Sequence, residues 1–318
     1  MLEFRTFRNT DPPVLAELWR SRAGETGLAQ PIFSDLLERF VFAKLYFDYP
    51  GLVLAREDGQ AVGFAHAGFG PTEDEQALST ELGTTCLLMV RSECDEGRVA
   101  AGLLERCEDY LRRRGARVIY GGGIRPLNAF YLGLYGGSEM PGVLESDVVA
   151  QRVYTSHGYR EIDRTLVFRR ELGDFEAPID RRQMQVRRQV VVEVTNDPPA
   201  RTWWEACTLG EFDLTRFDAV PRTGGAPVAS ATFRTMGLVP SGGPSRSMGL
   251  IDIWVEESFR RHGLAVFLLC EAFRQFARQG TETIDIQAMQ HNLGALGLYR
   301  KLGFQQVGQG SVFRKEVS

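Results

Sequence analysis

The sequence predicts an α/β (α+β) protein with two tandem domains, each a mixed, mostly antiparallel sheet flanked by helices. Its 318 residues are enough for two domains of ordinary size. The content of hydrophobic residues, 43%, and of charged residues, 25%, is that of a globular protein. The prediction of two similar domains comes from an internal repeat and from the way apolar residues alternate along each half.

The repeat has two blocks. Residues 90–104 recur 165 positions later as residues 255–269, with Val90 matching Val255. Both copies continue with apolar residues at the i, i+3, i+4, i+7 and i+11 spacing of a helix that buries one face. These residues are Ala100, Leu103, Leu104, Cys107 and Leu111, and Ala265, Leu268, Leu269, Ala272 and Phe276. Residues 154–159 recur 145 positions later as 299–304, so the first copy holds about 20 extra residues between its blocks.

The boundary between the copies is predicted in the polar, Gly- and Pro-containing stretch 173–178, GDFEAP, between two strand-like runs. We therefore expect an N-terminal domain at 1–172, a linker at 173–182 and a C-terminal domain at 183–318. Strands of the second domain are predicted at 186–194, 214–220, 227–235, 248–255, 283–289 and 304–315, and helices at 262–279 and 293–302. The first domain should begin with helices at 12–23 and 33–47.

Composition argues against several classes of function. The net charge of −4 gives no reason to expect a nucleic-acid partner. The five cysteines are scattered and show no metal-ligand spacing, which predicts no metal site and reduced thiols. No signal peptide and no apolar run of about 18 residues is found, so we expect a cytoplasmic protein without a membrane partner. Motifs of nucleotide triphosphatases, dehydrogenases, zinc hydrolases and serine hydrolases are missing from the sequence.

One predicted strand-to-helix junction has the features of a phosphate site. Residues 259–265, FRRHGLA, end a strand and begin a helix. The first amides of a helix lack partners within it, and glycine lets an anion approach the backbone closely. The alternative is a tight turn whose glycine is needed for its shape and whose arginines are simply solvated.

Taken together, two motifs resemble the GCN5-related N-acetyltransferase (GNAT) superfamily in its tandem, two-domain form. The first is Arg-x-x-Gly-x-Ala at residues 260–265, at the start of a helix. The second is Asn-x-x-Ala-x-x-x-Tyr-x-x-x-Gly-Phe at residues 292–304, after a strand. The resemblance covers about 248–304, and the repeat extends it more weakly to 90–159. It implies two domains with the acyl-CoA N-acyltransferase fold.

The resemblance also implies roles for particular residues. Acetyl-CoA would be the cosubstrate, with its pyrophosphate over the amides of 261–265 and its pantetheine arm beside the strand that ends at Val255. The implied coenzyme-binding residues are Val255, Arg260, Arg261, His262, Gly263, Leu264, Ala265 and Asn292. Tyr299 would be catalytic, because a phenol with a pKa near 10 can donate a proton to the thiolate that leaves a thioester.

The base that accepts the proton of the attacking amine is less clearly defined by the sequence. Gln287 stands where several families of this fold have a glutamate. Asp252 is our candidate, on one face of its strand with Leu250 and Trp254 if no bulge intervenes. Asp285 and His291 are second choices. A water chain or a base from the other domain remains an alternative, as does a purely structural role for each carboxylate.

The N-terminal copy departs from these motifs. Residues 95–98, Asp-Glu-Gly-Arg, replace 260–263, Arg-Arg-His-Gly, so two carboxylates stand where a pyrophosphate would bind. Asp147 replaces the asparagine, whereas Tyr154 matches Tyr299. We therefore expect a degenerate coenzyme site. The extra segment 130–142 forms either a wall of a substrate pocket or an ordered loop held by its own aromatic side chains.

The predicted function is transfer of an acetyl group from acetyl-CoA to a primary amine of a small molecule or peptide. The alternative from another class is a non-catalytic acyl-CoA-binding or regulatory protein, which the missing glutamate favours. A second enzymatic alternative is aminoacyl transfer, but its RNA carrier would favour a basic groove. The sequence identifies neither the acceptor nor the oligomeric state.

Overall fold

The computed structural model describes residues 1–178, 181–237 and 246–317. They form two compact units. The N-terminal unit contains residues 1–165, 200–211 and 308–318, and the C-terminal unit contains 166–199 and 212–307. Residues 200–211 and 308–318 thus group with the first unit, although the sequence-based division assigns them to the second domain. Within the predicted linker 173–182, residues 179 and 180 lie outside the described part.

The N-terminal unit begins with β1 (Leu2–Thr6), α1 (Pro12–Arg20) and α2 (Ser34–Leu37), and α2 continues into a π-helical turn at Glu38–Phe42. A 3₁₀ turn at Tyr49–Gly51 leads into β2 (Leu52–Glu57), β3 (Gln60–Pro71) and β4 (Leu78–Val90). Then follow α3 (Glu96–Arg113), β5 (Val118–Gly121), β6 (Val143–Leu144) and α4 (Val148–Ser156). A strand from Arg160 to Glu171, β7, leads out of the unit.

The C-terminal unit receives the second half of β7 and continues with α5 (Arg181–Gln189) and β8 (Val190–Asn196). The next helix, α6 (Trp203–Leu209), belongs to the N-terminal unit. Then come β9 (Leu214–Pro221), β10 (Ala229–Thr235), β11 (Ser247–Val255), a 3₁₀ turn at Glu257–Phe259 and α7 (Leu264–Arg278). The chain ends with β12 (Thr283–Met289), α8 (Leu293–Lys301) and β13 (Gln305–Glu316).

Each unit contains a mixed, mostly antiparallel sheet, as predicted. In the N-terminal unit the strand order is β1-β2-β3-β4-β5-β13, with β4 and β5 parallel. The last strand pairs with β5 through Phe313 to Glu316, which explains why the chain end groups with the N-terminal unit. In the C-terminal unit the order is β7-β12-β11-β10-β9-β8, with β11 and β12 parallel.

A long amphipathic helix packs on the sheet of each unit, as the repeated apolar stripe predicts. In the N-terminal unit the stripe of α3, including Leu103 and Leu104, is fully buried against residues of β2, β3 and β4. In the C-terminal unit the corresponding residues of α7 from Leu268 to Phe276 are buried against β9, β10 and β11. Burial of these stripes is the main source of stability of both units.

Most predicted elements of the C-terminal half are confirmed within about two residues. The strand predicted at 186–194 is wrong in its first half, because residues 181–189 form α5 and the strand begins at Val190. The segment RRQMQVRRQ has one buried apolar residue, Val186, and its Arg, Gln and Met side chains favour a helix. The helix predicted at 33–47 is shorter, ending after the π-helical turn at Phe42. Within the described residues, no helix is long and apolar enough to span a membrane.

Candidate active site

A gap opens in the sheet of the C-terminal unit where two parallel strands separate. The ladder between β11 and β12 joins Ser247–Gly249 to Thr283–Asp285 and ends there. Both strands continue, β11 to Val255 and β12 to Met289. The facing edges beyond Gly249 therefore carry backbone groups that this ladder does not use, and such groups require partners. This is the strand end along which the pantetheine arm is expected.

A β-bulge in β11 changes which side chains face the core. Thr232 of β10 pairs with Asp252, and the next residue, Phe233, pairs with Leu250, so Ile251 is the extra residue. Leu250 lies in the core beside α7, and after the bulge Ile253 and Val255 pack against that core. Asp252 and Trp254 therefore point to the opposite face of the sheet. Leu250 would share a face with them only if no bulge intervened, and the bulge places it on the other face.

The loop after β11 leads to a helix start without a side-chain cap. Gly263 is the N-cap of α7, with φ +88° and ψ 5°, and within the described residues the helix start has no side-chain cap hydrogen bond. Arg261 also has a positive φ, +67°. The guanidinium Nε of Arg260 donates a hydrogen bond to the Val255 carbonyl over 3.0 Å, which ties the loop to the strand end.

The residues of the predicted stretch 260–265 differ in whether the side chain or the backbone amide is available to a ligand. Arg260, Arg261 and His262 are exposed, whereas the side chain of Leu264 is buried in the core. Leu264 and the half-buried Ala265 can therefore serve a ligand mainly through their backbone amides. The structure places the whole predicted stretch 260–265 at one junction, shortly after the end of β11.

Asn292 is the N-cap of α8, a role not foreseen from the motif. Its Oδ1 accepts a hydrogen bond from the Ala295 amide over 3.1 Å, and the residue is exposed. Such caps typically stabilise a helix by about 1 kcal/mol. The side chain retains its Nδ2 group as a donor.

Tyr299 lies on the buried face of α8, two turns after the cap. Its side chain is 4% exposed, and its ring meets Phe168 and Phe304 with centroids 5.9 and 5.8 Å away. Burial raises the pKa of the phenol to about 12. No hydrogen bond of its hydroxyl is found within the described residues. The phenol is thus neutral at physiological pH and retains a proton to donate.

The candidates for a base have distinct environments. Asp285 is buried and accepts hydrogen bonds of 2.7 Å from both Nε and Nη2 of Arg169, a bidentate ion pair that occupies its carboxylate. Asp252 is half-buried, opposite Thr232. His291 is exposed in the turn between β12 and α8. Gln287, on β12, has no titrating group.

The sheet face that carries Asp252 is polar across four strands. The cross-strand register forms two rows, Glu193–Asp218–Ser230–Trp254 and Thr195–Arg216–Thr232–Asp252. Arg216 Nε donates to Asp218 Oδ2 over 2.8 Å. Ser230 and Thr232 are each 6% exposed, and neither hydroxyl is among the fully buried polar atoms of the described chain that lack a hydrogen-bond partner. Hydroxyl, carboxylate and guanidinium groups side by side suit this face to a polar ligand. The alternation of apolar residues in the sequence predicts these strands. It does not predict the bulge in β11, which determines which side chains of that strand lie on this face.

The corresponding helix starts of the N-terminal unit are closed by aspartates. Asp95 caps α3 by accepting a hydrogen bond from the Arg98 amide over 3.1 Å. Asp147 caps α4 by accepting one from the Ala150 amide over 3.2 Å, and burial raises its pKa to about 6. Both carboxylates satisfy amides that an anionic ligand would otherwise use.

The groove beside β4 is filled by side chains of the same unit. Arg22 Nη1 donates to the Val90 carbonyl over 2.6 Å, at the strand end that corresponds to Val255. A cavity of about 10 Å³ remains beside Arg22, Leu87, Tyr135 and Asp147, which holds no more than about one water molecule. A cavity of this size is too small to hold a pantetheine arm.

Tyr154 and the segment 130–142 are likewise buried. The Tyr154 hydroxyl donates to the Thr85 carbonyl over 3.4 Å, and its ring stacks on Phe313. In the segment, the side chains of Phe130, Tyr131 and Tyr135 are at most 5% exposed. The Tyr135 hydroxyl accepts a hydrogen bond from the Leu144 amide over 2.8 Å. These contacts agree with an ordered loop held by its own aromatic side chains.

Comparison with known proteins finds a family match over part of the chain and a shared fold over nearly all of it. Residues 184–304 match the model of the acetyltransferase (GNAT) family. No curated protein matches the chain in sequence. Among solved structures, a fungal multi-domain GH3 β-N-acetylglucosaminidase contains a GCN5-related glucosamine N-acetyltransferase region similar to this chain. That match has a TM-score of 0.73 and 16% identity, and covers 99% of this chain but only 38% of the fungal one.

Two further structures match nearly end to end. A tandem GNAT protein from the clavulanic acid biosynthesis pathway has a TM-score of 0.67 and 14% identity, with 99% of this chain and 98% of that chain covered. A GCN5-related N-acetyltransferase from Sphaerobacter thermophilus has a TM-score of 0.65 and 16% identity, covering 99% and 95%. The tandem fold is thereby confirmed, and at these identities the likeness concerns the fold alone.

Proposed function

We propose, from the premise that residues 184–304 form a domain of the acetyltransferase (GNAT) family, that this chain is an N-acetyltransferase. It transfers an acetyl group from acetyl-CoA to a primary amine of a small molecule or peptide. The reaction takes place in the C-terminal unit. The N-terminal unit has a structural role and binds no coenzyme.

The observation that carries this proposal is the uncapped helix start at Gly263 beside the end of β11, beyond the point where its ladder with β12 stops. The amides at the start of α7 have no side-chain cap, and the partial positive charge of a helix N-terminus suits a pyrophosphate. Arg261 and His262 add exposed donors. Beyond Gly249, the backbone groups of β11 up to Val255 are suited to the amides of a pantetheine arm.

Two groups of the chain would handle protons during the transfer. Acetyl-CoA, once bound, supplies an activated acyl group as a thioester. The amine nitrogen forms the new bond to the acyl carbon as the carbon–sulfur bond breaks, and the Tyr299 hydroxyl donates a proton to the departing sulfur. Asp252, directly or through water, accepts the proton that the amine loses. Asn292 donates from its Nδ2 to the pantetheine arm.

The acceptor is proposed to approach from the polar sheet face. Asp252 and Trp254 lie on that face, opposite the core that holds Tyr299. An amine that enters the gap between β11 and β12 from this side would have the acid and the base on opposite sides of the reacting carbon. The polar side chains of Ser230, Thr232 and Asp218 on this face favour a hydrophilic amine over an apolar one.

A non-catalytic acyl-CoA-binding protein is the second candidate, and Gln287 is the observation in its favour. The test is turnover of acetyl-CoA, followed through the released thiol, against a panel of hydrophilic amines and peptides. The panel includes glucosamine, because one structural neighbour is described as a glucosamine N-acetyltransferase region. We expect amine-dependent thiol release that Tyr299→Phe suppresses. Coenzyme binding without turnover on any amine would favour the non-catalytic protein.

A further inference from the structure

An ion pair lies where the ladder between β11 and β12 ends. Asp285 stands opposite Gly249 at the last position of that ladder, beside the closed end of the gap. Nε and Nη2 of Arg169, on β7, each donate a hydrogen bond of 2.7 Å to the Asp285 carboxylate. Strand β7 is the neighbour of β12 on the side away from the gap. Only β12 therefore lies between Arg169 and the gap.

The ion pair is on the same side of the sheet as the proposed base. On β12 the residue before Asp285, Ile284, is fully buried in the core, and on β7 the residue before Arg169, Phe168, packs in that same core. Successive side chains of a strand point to opposite faces, so Asp285 and Arg169 lie on the face away from this core. Asp252 also lies on that face. An acceptor that approaches from there has both the base and the guanidinium on its side of the sheet.

The guanidinium of Arg169 is fixed in orientation and still open to a ligand. The pair with Asp285 uses two of the five N–H donors of the guanidinium and leaves those of Nη1 unused by it. The Arg169 side chain is 46% exposed, whereas that of Asp285 is 4% exposed. A buried carboxylate thus holds the plane of a half-exposed guanidinium. Because this orientation exists before a ligand arrives, binding costs little side-chain entropy.

The charges around the gap determine which acceptor fits. Asp252 suits the amine, which is a cation before it loses its proton. Arg169 suits an anion, and a planar carboxylate matches the fork of N–H groups on a guanidinium. Two strand spacings separate β7 from β11, about 10 Å in the paired part of the sheet, and the arginine side chain spans part of that distance. An amine and a carboxylate joined by several bonds can therefore contact both groups at once.

We infer that Arg169 binds a carboxylate of the acceptor, so that the preferred substrates are amines that also carry a carboxylate, as amino acids do. The inference rests on the proposed function, since it presumes that the amine reacts in the gap between β11 and β12. Arg169 is a specificity residue and takes no part in proton transfer. Asp285 is a positioning residue, which acts through Arg169.

The test compares acceptors that differ only in a carboxylate or a carboxamide, namely ω-amino acids of increasing length and their amides. In the longer pairs the changed group is too far from the amine to alter its pKa much. The unmodified chain should prefer the carboxylate about tenfold in kcat/KM, mainly through KM, which is the scale of one charge-assisted hydrogen bond. Arg169→Ala should abolish this preference by weakening the carboxylate member alone. Arg169→Lys should restore part of it, because the charge remains.

A second variant keeps the test valid if Arg169→Ala does not fold. Removal of Arg169 leaves a buried carboxylate without its partner, which is strongly destabilising. Arg169→Ala combined with Asp285→Asn removes both charges and should show the same loss of preference. Asp285→Asn alone should reduce the preference, because it loosens the orientation of Arg169. Thermal unfolding of each variant verifies that it is folded.

Arg164→Ala is the matched control. Arg164 lies on the same strand, is also 46% exposed and also pairs with a carboxylate, that of Glu161, but it belongs to the N-terminal unit. It should keep the full preference. No preference in the unmodified chain, or equal losses on both members of a pair in Arg169→Ala, would overturn the inference while leaving the proposed function intact. Absence of turnover on every amine would overturn the proposed function, and the inference with it.

Discussion

Asp95 and Gly263 are the N-caps of equivalent helices in the two repeats, but only Asp95 caps its helix with a side chain. The carboxylate of Asp95 accepts a hydrogen bond from the Arg98 amide, whereas Gly263 has no side chain with which to cap α7. An anion would be repelled at the first site and attracted at the second. The two copies therefore share a fold but differ in the N-cap of this helix, and we propose that only the C-terminal copy binds an anion there.

Tyr299→Phe should lower kcat by about 10², toward the low end for a positioned acid, because a thiolate is already a tolerable leaving group. Affinity for acetyl-CoA should hardly change, because the hydroxyl acts mainly in the transition state. Steady-state kinetics on a verified amine, together with calorimetry, separates the two effects.

Tyr154→Phe is the matched control for that substitution. Tyr154 occupies the equivalent place in the N-terminal unit, where its hydroxyl is fully buried and bonded to the Thr85 carbonyl. Its loss should leave turnover unchanged. Full kcat in Tyr299→Phe, or a larger loss in Tyr154→Phe, would contradict the placement of the chemistry in the C-terminal unit.

Asn292 should show two separable roles. Asn292→Ala removes both the cap of α8 and the Nδ2 donor, so it should destabilise the protein by about 1 kcal/mol and weaken coenzyme binding. Asn292→Asp keeps a capping oxygen, as Asp147 does in the other repeat, but loses the donor. It should therefore retain the melting temperature while coenzyme affinity falls. Undiminished affinity in Asn292→Asp would show that the residue is a cap and nothing more.

Asp147→Asn should stabilise the protein at pH 7.5. Burial raises the pKa of Asp147 from 3.8 to about 6, so at neutral pH the folded state holds a carboxylate that would prefer its proton. That cost is absent below the unfolded-state pKa and grows as the pH rises through about 6, to an upper limit of about 3 kcal/mol. Asparagine removes the charge and can still cap the helix.

The melting temperatures of Asp147→Asn and the unmodified protein should therefore differ most at pH 7.5 and converge toward pH 4. A difference independent of pH would mean that the carboxylate carries no such penalty. A difference in melting temperature that grew on acidification would mean that folding lowers the pKa of Asp147 rather than raising it.

Local patterns predicted the elements that bury one clear apolar face. Both α3 and α7 follow from such stripes, and the two motifs correctly placed residues 260–265 at a helix start. The bulge at Ile251 could not be predicted, because it depends on the register with β10. The strand predicted at 186–194 begins only at Val190. The valines that follow favour a strand, and the prediction wrongly continued that strand back into residues 186–189, which belong to α5.

Local sequence patterns also do not predict features that depend on pairing between distant parts of the chain. The pairing of Phe313 to Glu316 with β5 joins the chain end to a strand of the first repeat. The motif for Asn292 was visible in the sequence, but its capping bond became evident only from the structure. The domain division at 173–182 remains a prediction about which segments fold independently.

The central claim is that one coenzyme A binds per chain, at the start of α7. Glutamate at Gly263 would place a carboxylate among those amides and strain a backbone with φ +88°. Gly263→Ala carries the same strain without the charge and is the control for it. Glutamate at Gly97 meets only an ordinary contact with Asp95, at 3.8 Å, in a helix that already has its cap.

Calorimetric titration of coenzyme A into these variants is the most direct test. The unmodified chain and Gly97→Glu should both bind with a stoichiometry near one, Gly263→Ala should bind more weakly, and Gly263→Glu should not bind. Two equivalent sites, or loss of binding in Gly97→Glu with retention in Gly263→Glu, would contradict the account.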